Sequence, residues 1–147
     1  MGAPLHQKPG EKVAWSDKRL FHQGFRQSHY DMFLTAQKLS ANWGAAVIDG
    51  FDGMEGNGPI SGTAVPSRVA LASADPVAAD RVGLELMGVD PEWTGYLKYC
   101  GQAGIGEYDL SRIEVRGPDL SGLKRSFRLH DTVESQLAWM GPLPACH

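Results

Sequence analysis

Cysteine is scarce in this chain. The two present, Cys100 and Cys146, stand far apart and outside any C-x-x-C pattern. A disulfide framework, a structural zinc site and a self-contained iron–sulfur cluster would each be short of ligands, so two reduced thiols are expected. An excess of positive charge is also missing. Lys and Arg number 14 against 17 Asp and Glu, for a net charge of −3, and no overall basic field draws the chain to nucleic acid. No apolar run approaches the roughly 18–20 residues of a membrane span. The first twelve residues hold no apolar stretch of the kind a secretory signal needs, and a cytoplasmic location is the expectation. No internal repeat or low-complexity segment is visible. Glycine is over-supplied instead: 18 residues, gathered over 44–62 and 101–106, where the backbone must turn sharply or approach something closely.

A chain of 147 residues fits one domain and can bury a core without disulfides. Residues 1–24 mix Pro, Gly, Lys and His with little periodicity and read as an N-terminal arm. Trp15, Leu20, Phe21 and Phe25 suggest that part of it packs. Residues 25–147 read as a single α/β domain. Tyr30, Phe33, Leu34, Gln37 and Ala41 follow helical spacing and predict a helix over 28–43, capped by Ser28 and stopped by Gly44. The apolar run 45–48 predicts a buried strand, and 68–73 a second. Between them, 49–67 reads as a long loop, which in a compact domain is usually functional or mobile. Asp75 as N-cap with Pro76 behind it opens a helix to Met87, ended by Gly88. Asp90 and Pro91 open another, to Cys100. Alternation over 113–116 predicts a half-buried strand, and 131–140 a short helix. Helix, strand, strand, helix, helix, strand is an α/β order: a short sheet with flanking helices.

The long loop carries Asp49, Asp52 and Glu55 at every third position, just past the carboxyl end of a predicted strand, where open α/β sheets bind ligands. Glycine lets such a segment fold back. Converging carboxylates repel unless a hard cation sits between them, and Mg²⁺ or Ca²⁺ would do so, with Asn57 or loop carbonyls completing the shell. The spacing fits neither an EF-hand nor a P-loop nor a dinucleotide fingerprint. Two other readings stand beside this one. The amides around Gly53, Gly56 and Gly58 could form a nest for an anionic ligand. Alternatively, the acids could cap their own backbone in a solvated turn.

Asp80 is the most informative single residue. At about 100° per residue it falls between Leu84 and Met87, inside the apolar arc of its helix. A carboxylate there must be paired, hydrogen-bonded or metal-bound. It either anchors the amides of the 49–62 loop or faces a ligand beside Asp49. Asp75 is explained by its cap. His22 and His29, seven apart, are candidates for proton transfer near neutral pH, against the plainer reading of packed or surface imidazoles. Lys18, Arg19 and Arg26 could bind an anionic substrate or simply be solvated.

Several pieces occur in a specific order. Val47-Ile48-Asp49-Gly50 comes first, then Met54-Glu55-Gly56-Asn57-Gly58-Pro59, then Gly62. Ala72-Ser73-Ala74-Asp75-Pro76-Val77-Ala78-Ala79-Asp80 follows, then Leu86-Met87-Gly88 and Gly104-Ile105-Gly106-Glu107. From about His22 to Gly117 the chain resembles the C-terminal half of the family called domain of unknown function 362. Many of its members sit beside ferredoxin-like modules and are labelled iron–sulfur cluster-binding proteins. The resemblance implies a metal- or redox-linked role and a ferredoxin-like redox partner. The chain departs from the pattern in lacking a ferredoxin cysteine cluster, so no iron–sulfur cluster is expected within it. It also lacks the family's N-terminal half, so its sheet is expected to be incomplete without that half or a partner chain. Open strand edges then favour a homo-oligomer. Two functions follow. One is an enzyme, or half of one, in which Asp49, Asp52 and Glu55 hold a divalent cation, Asp80 supports the loop, and His22 or His29 moves a proton. The other is a non-catalytic assembly or partner-binding module that docks through its aromatic arm (Trp15, Phe21, Phe25).

Overall fold

The computed structural model describes residues 5–6, 9–10, 15–16 and 22–141. Most of the arm expected over 1–24 lies outside the described residues, as do Lys18, Arg19, Leu20, Phe21 and Cys146. Within it, β1 (Leu5–His6) and β2 (Trp15–Ser16) pair antiparallel.

Helix α1 spans Phe25–Leu39, and a 3₁₀ turn over Ser40–Asn42 extends it. It starts three residues before the expected cap. Gly24, at φ 100°, takes the N-cap position. The Ser28 hydroxyl points back to the Gly24 carbonyl at 3.0 Å, and so lies inside the first turn. Strand β3 (Ala46–Gly50) pairs antiparallel with β6 (Val69–Ser73), Ala46 opposite Ser73 and Gly50 opposite Val69.

The long loop expected between these strands is a hairpin. β4 (Gly53–Asn57) and β5 (Ser61–Val65) pair from Gly53↔Val65 to Asn57↔Ser61. Gly-Met-Glu-Gly-Asn has no apolar alternation to announce a strand. Its partners come instead from 127–131. The Gly56 amide donates to the Arg128 carbonyl at 2.8 Å. Asn57 and Asp131 exchange two bonds, at 2.7 and 3.0 Å.

Helix α2 (Pro76–Met87) begins and ends where its local signals place it. Asp75 Oδ1 accepts from the amides of Val77 and Ala78 at 2.9 and 3.1 Å, and Gly88 takes the left-handed conformation at φ 66°. One face of α2 backs the β3–β6 ladder. A Cβ at Gly83 would stand 3.6 Å from Ile48 Cδ1, so the missing side chain sets how closely helix and strands approach.

The helix expected over 91–100 is broken at Thr94. Pro91–Trp93 forms a 3₁₀ turn capped by Asp90, and α3 follows over Gly95–Gln102. The predicted strand at 113–116 forms no ladder with β6. Val115 is exposed, and the segment lies across a small cavity from Ala70–Ser73. Short helices α4 (Leu120–Leu123) and α5 (Val133–Leu137) complete the chain, the latter running into a 3₁₀ turn over Ala138–Met140.

The fold is thus α/β, with antiparallel two-stranded ladders and flanking helices. Val77, Leu97 and Cys100 form the buried centre, ringed by Phe33, Ala36, Trp43, Tyr96, Ile105 and Tyr108. Full burial of a side chain such as Leu97 stabilises by about 1.5–3 kcal/mol. Among the described residues, no helix is long and apolar enough to cross a membrane.

Candidate functional site

The acids singled out from the sequence each have a partner within the chain. Asp49 Oδ1 accepts from the Phe51 amide at 3.0 Å, a local turn bond. Asp52 lies 3.8 Å from Arg68, and both side chains are exposed. Glu55 Oε2 accepts from the Arg128 amide at 2.9 Å, and its Oε1 lies 3.8 Å from the Arg128 guanidinium. Asp80 accepts from the Tyr96 hydroxyl at 2.8 Å. The structure does not bring these four together. Among the described residues, no group of three or more His, Cys, Asp or Glu side chains is placed to hold a metal ion. Asp80 does not reach the 49–62 segment, because α2 turns it toward α1 and α3, whereas Asp49 borders a separate cavity.

The glycines serve close packing. At Gly53 a Cβ would stand 2.9 Å from the Phe127 ring, and at Gly56, where φ is 73°, it would meet the Arg128 guanidinium. At Gly58 it would stand 2.9 Å from Met54 Sδ. The amides of Gly56 and Gly58 donate to the carbonyls of Arg128 and Gly56.

The two histidines part company. His22 is exposed and precedes α1. His29 is half-buried within α1, its ring 4.8 Å from that of Trp139 and stacked at 6.4 Å on Tyr96. Gly95 permits this, since a Cβ there would stand 2.9 Å from Trp139 and 3.1 Å from His29. His29 Nδ1 is buried without a hydrogen-bond partner. Burial holds its pKa below the ordinary value, so the imidazole is neutral near pH 7.

A different feature emerges between the helices. α1 buries none of its residues fully, because one face of it looks onto a cavity of about 500 Å³. Ser28, Asp31, Met32, Thr35, Ala36 and Leu39 form that wall, at the three- and four-residue steps that share a helix face. Pro76, Val77 and Asp80 of α2 and Tyr96, Leu97 and Cys100 of α3 supply the rest, with Trp43 and His22 at the margins. The walls are largely apolar. Asp31 Oδ1 accepts from Gln27 at 2.8 Å, but its Oδ2 is buried with no partner. Burial, and then the Asp80 carboxylate, push the Tyr96 hydroxyl pKa well up. The Cys100 thiol is raised by burial and by the charges of Asp80 and Asp75. Both groups are therefore protonated near neutral pH.

Of the residues that line this cavity, Asp80 and His22 are the ones singled out from the sequence. The signal passed over was a polar series, Ser28, Asp31 and Thr35, on the same stripe of α1 as Met32, Ala36 and Leu39.

The class defined by this geometry is a small α/β protein with a helix-walled cavity. The family model described as "Domain of unknown function (DUF362)" matches residues 7–85. That is more than half of the chain, which belongs to this family. The match takes in the α1 wall and Asp80 and stops before Tyr96 and Cys100. No curated protein and no solved structure matches the chain.

Proposed function

We propose that the chain is a small-molecule-binding member of the DUF362 family and that its site is the cavity between α1, α2 and α3. The observation that carries this is the cavity itself, about 500 Å³ of largely apolar space between three helices, with the Tyr96–Asp80 hydrogen bond in its wall. The volume lies within the roughly 300–1,000 Å³ of ligand pockets, which combine apolar walls with a few placed polar groups.

The test uses the full chain and a neutral apolar probe, indole, followed by ligand-observed NMR and thermal shift. Saturable binding is expected. Ala36→Phe, which places a ring in the cavity, should abolish it while leaving the circular dichroism spectrum unchanged. Absence of binding, or binding that Ala36→Phe leaves intact, would overturn the proposal.

The metal- or redox-linked role implied by the family resemblance enters this reading through whatever occupies the cavity. A cation held by Asp49, Asp52 and Glu55 would require Arg68 and Arg128 to release their acids, and it ranks below the cavity for that reason. A second reading, a homo-oligomeric or partner-docking module, is favoured by exposed apolar groups on the strands and their turns. Val47 is 75% and Ile60 94% exposed, with Phe51 and Met54 about half so.

A further inference from the structure

We infer that the free edge of β3 is the surface on which two copies of this chain join, through an antiparallel β3–β3 pairing with its two-fold axis at Ile48. This rests on the homo-oligomeric reading and names its interface, and the cavity reading does not depend on it.

The two edges of the β3–β6 ladder differ. Along β6 the segment 113–116 lies across a small cavity from Ala70–Ser73, and the exposed ion pair of Glu114 with Arg116, at 2.9 Å, belongs to it. Charged side chains and covering loops of this kind keep a strand edge from pairing. β3 has neither device. Its sequence, Ala46-Val47-Ile48-Asp49-Gly50, holds no Lys, Arg or Pro. Among the described residues, no strand but β6 pairs with it, and no backbone group of 46–50 bonds to anything beyond β6. In a two-stranded antiparallel ladder, alternate residues turn their amides and carbonyls away from the partner. In β3 that set is either 46, 48 and 50 or 47 and 49, and both sets are symmetric about Ile48. A two-fold axis there places residue 46 opposite residue 50 of the second copy and residue 47 opposite its residue 49, so every outward donor meets an acceptor.

The side chains fit the same register. Val47 and Asp49 share the outer face of β3. Each Val47 then lies opposite the other copy's Asp49, and the two carboxylates do not oppose one another. On the inner face Ile48 meets its own counterpart and Ala46 meets Gly50, apolar against apolar and small against small. The pairing also closes. Each copy uses its one unguarded edge, and the joint sheet runs β6–β3–β3–β6 with a guarded strand at either side, which makes a dimer rather than a fibre.

The experiment uses the full, unmodified chain and reads light scattering and NMR hydrogen exchange on the same sample. Scattering should give twice the mass of one chain. All five amides of 46–50 should exchange slowly, alternate ones held by β6 and the rest by the second copy. In a mixture of labelled and unlabelled chains, intermolecular NOEs should join residue 47 to residue 49. A dimer in which alternate amides of 46–50 exchange fast, or which lacks those NOEs, overturns the edge pairing while the homo-oligomeric reading stands. A monomer overturns both and leaves the cavity reading intact.

Discussion

His29 illustrates how one side chain sets a pH response. It sits among Tyr96 and Trp139 with a buried, unpartnered Nδ1, and desolvation lowers its pKa below the ordinary 6.5. The unfolded chain therefore binds a proton there more readily than the folded one, and stability rises with pH across that window. This contribution is fully present above about 6.5 and is lost as pH falls toward the lower folded value. Urea denaturation at pH 7.5 and pH 5 should show a drop that His29→Phe reduces. An unchanged drop would assign the acid sensitivity elsewhere. At this scale the sequence was legible in part. The position of Asp80 on the apolar arc of α2 states that it needs a partner, and it has one. That the partner is Tyr96 rather than the 49–62 segment depends on how α3 packs, which no local pattern encodes.

Among the elements, α2 was the most legible and the β4–β5 hairpin the least. An N-cap, an N1 proline and a terminal glycine are local signals, and they set both ends of α2. The hairpin is held by bonds to Arg128 and Asp131, more than 70 residues away, and its own residues carry no strand pattern. The 113–116 stretch shows the converse, for it alternates yet pairs with no strand among the described residues. Asp75 joins local and distant order, because one carboxylate serves Val77 and Ala78 in its own helix and Glu107 beyond α3. Asp75→Ala should therefore cost about 1–3 kcal/mol, more than a cap alone, read as a lower urea midpoint. Asp75→Asn, which keeps an acceptor, should recover part of it. A loss below about 0.5 kcal/mol would mean that the Glu107 contact contributes little.

For the whole molecule, the consequence of its strand arrangement is open edges. β3 and β6 form a ladder of two strands backed by α2 on one face, and Val47 on the other face is largely bare. Ladders this small gain stability from further strands or a covering surface. If a second copy supplies that cover, light scattering at micromolar concentration should report a dimer or larger species. Val47→Lys with Ile60→Lys should shift it to monomer. A monomer before substitution would leave the outer face to a different partner or to water.

Gly106 shows how little room the design leaves. A methyl group there would stand 2.5 Å from Asp75 Oδ1 and 2.7 Å from Val77 Cβ, so a single hydrogen atom separates the 104–107 turn from the start of α2. That helix walls the cavity on one side and supports the strands on another. Enlarging residue 106 even to alanine would push at Asp75 and Val77, and so at the start of the helix common to both, a place from which the cavity and the ladder would loosen together.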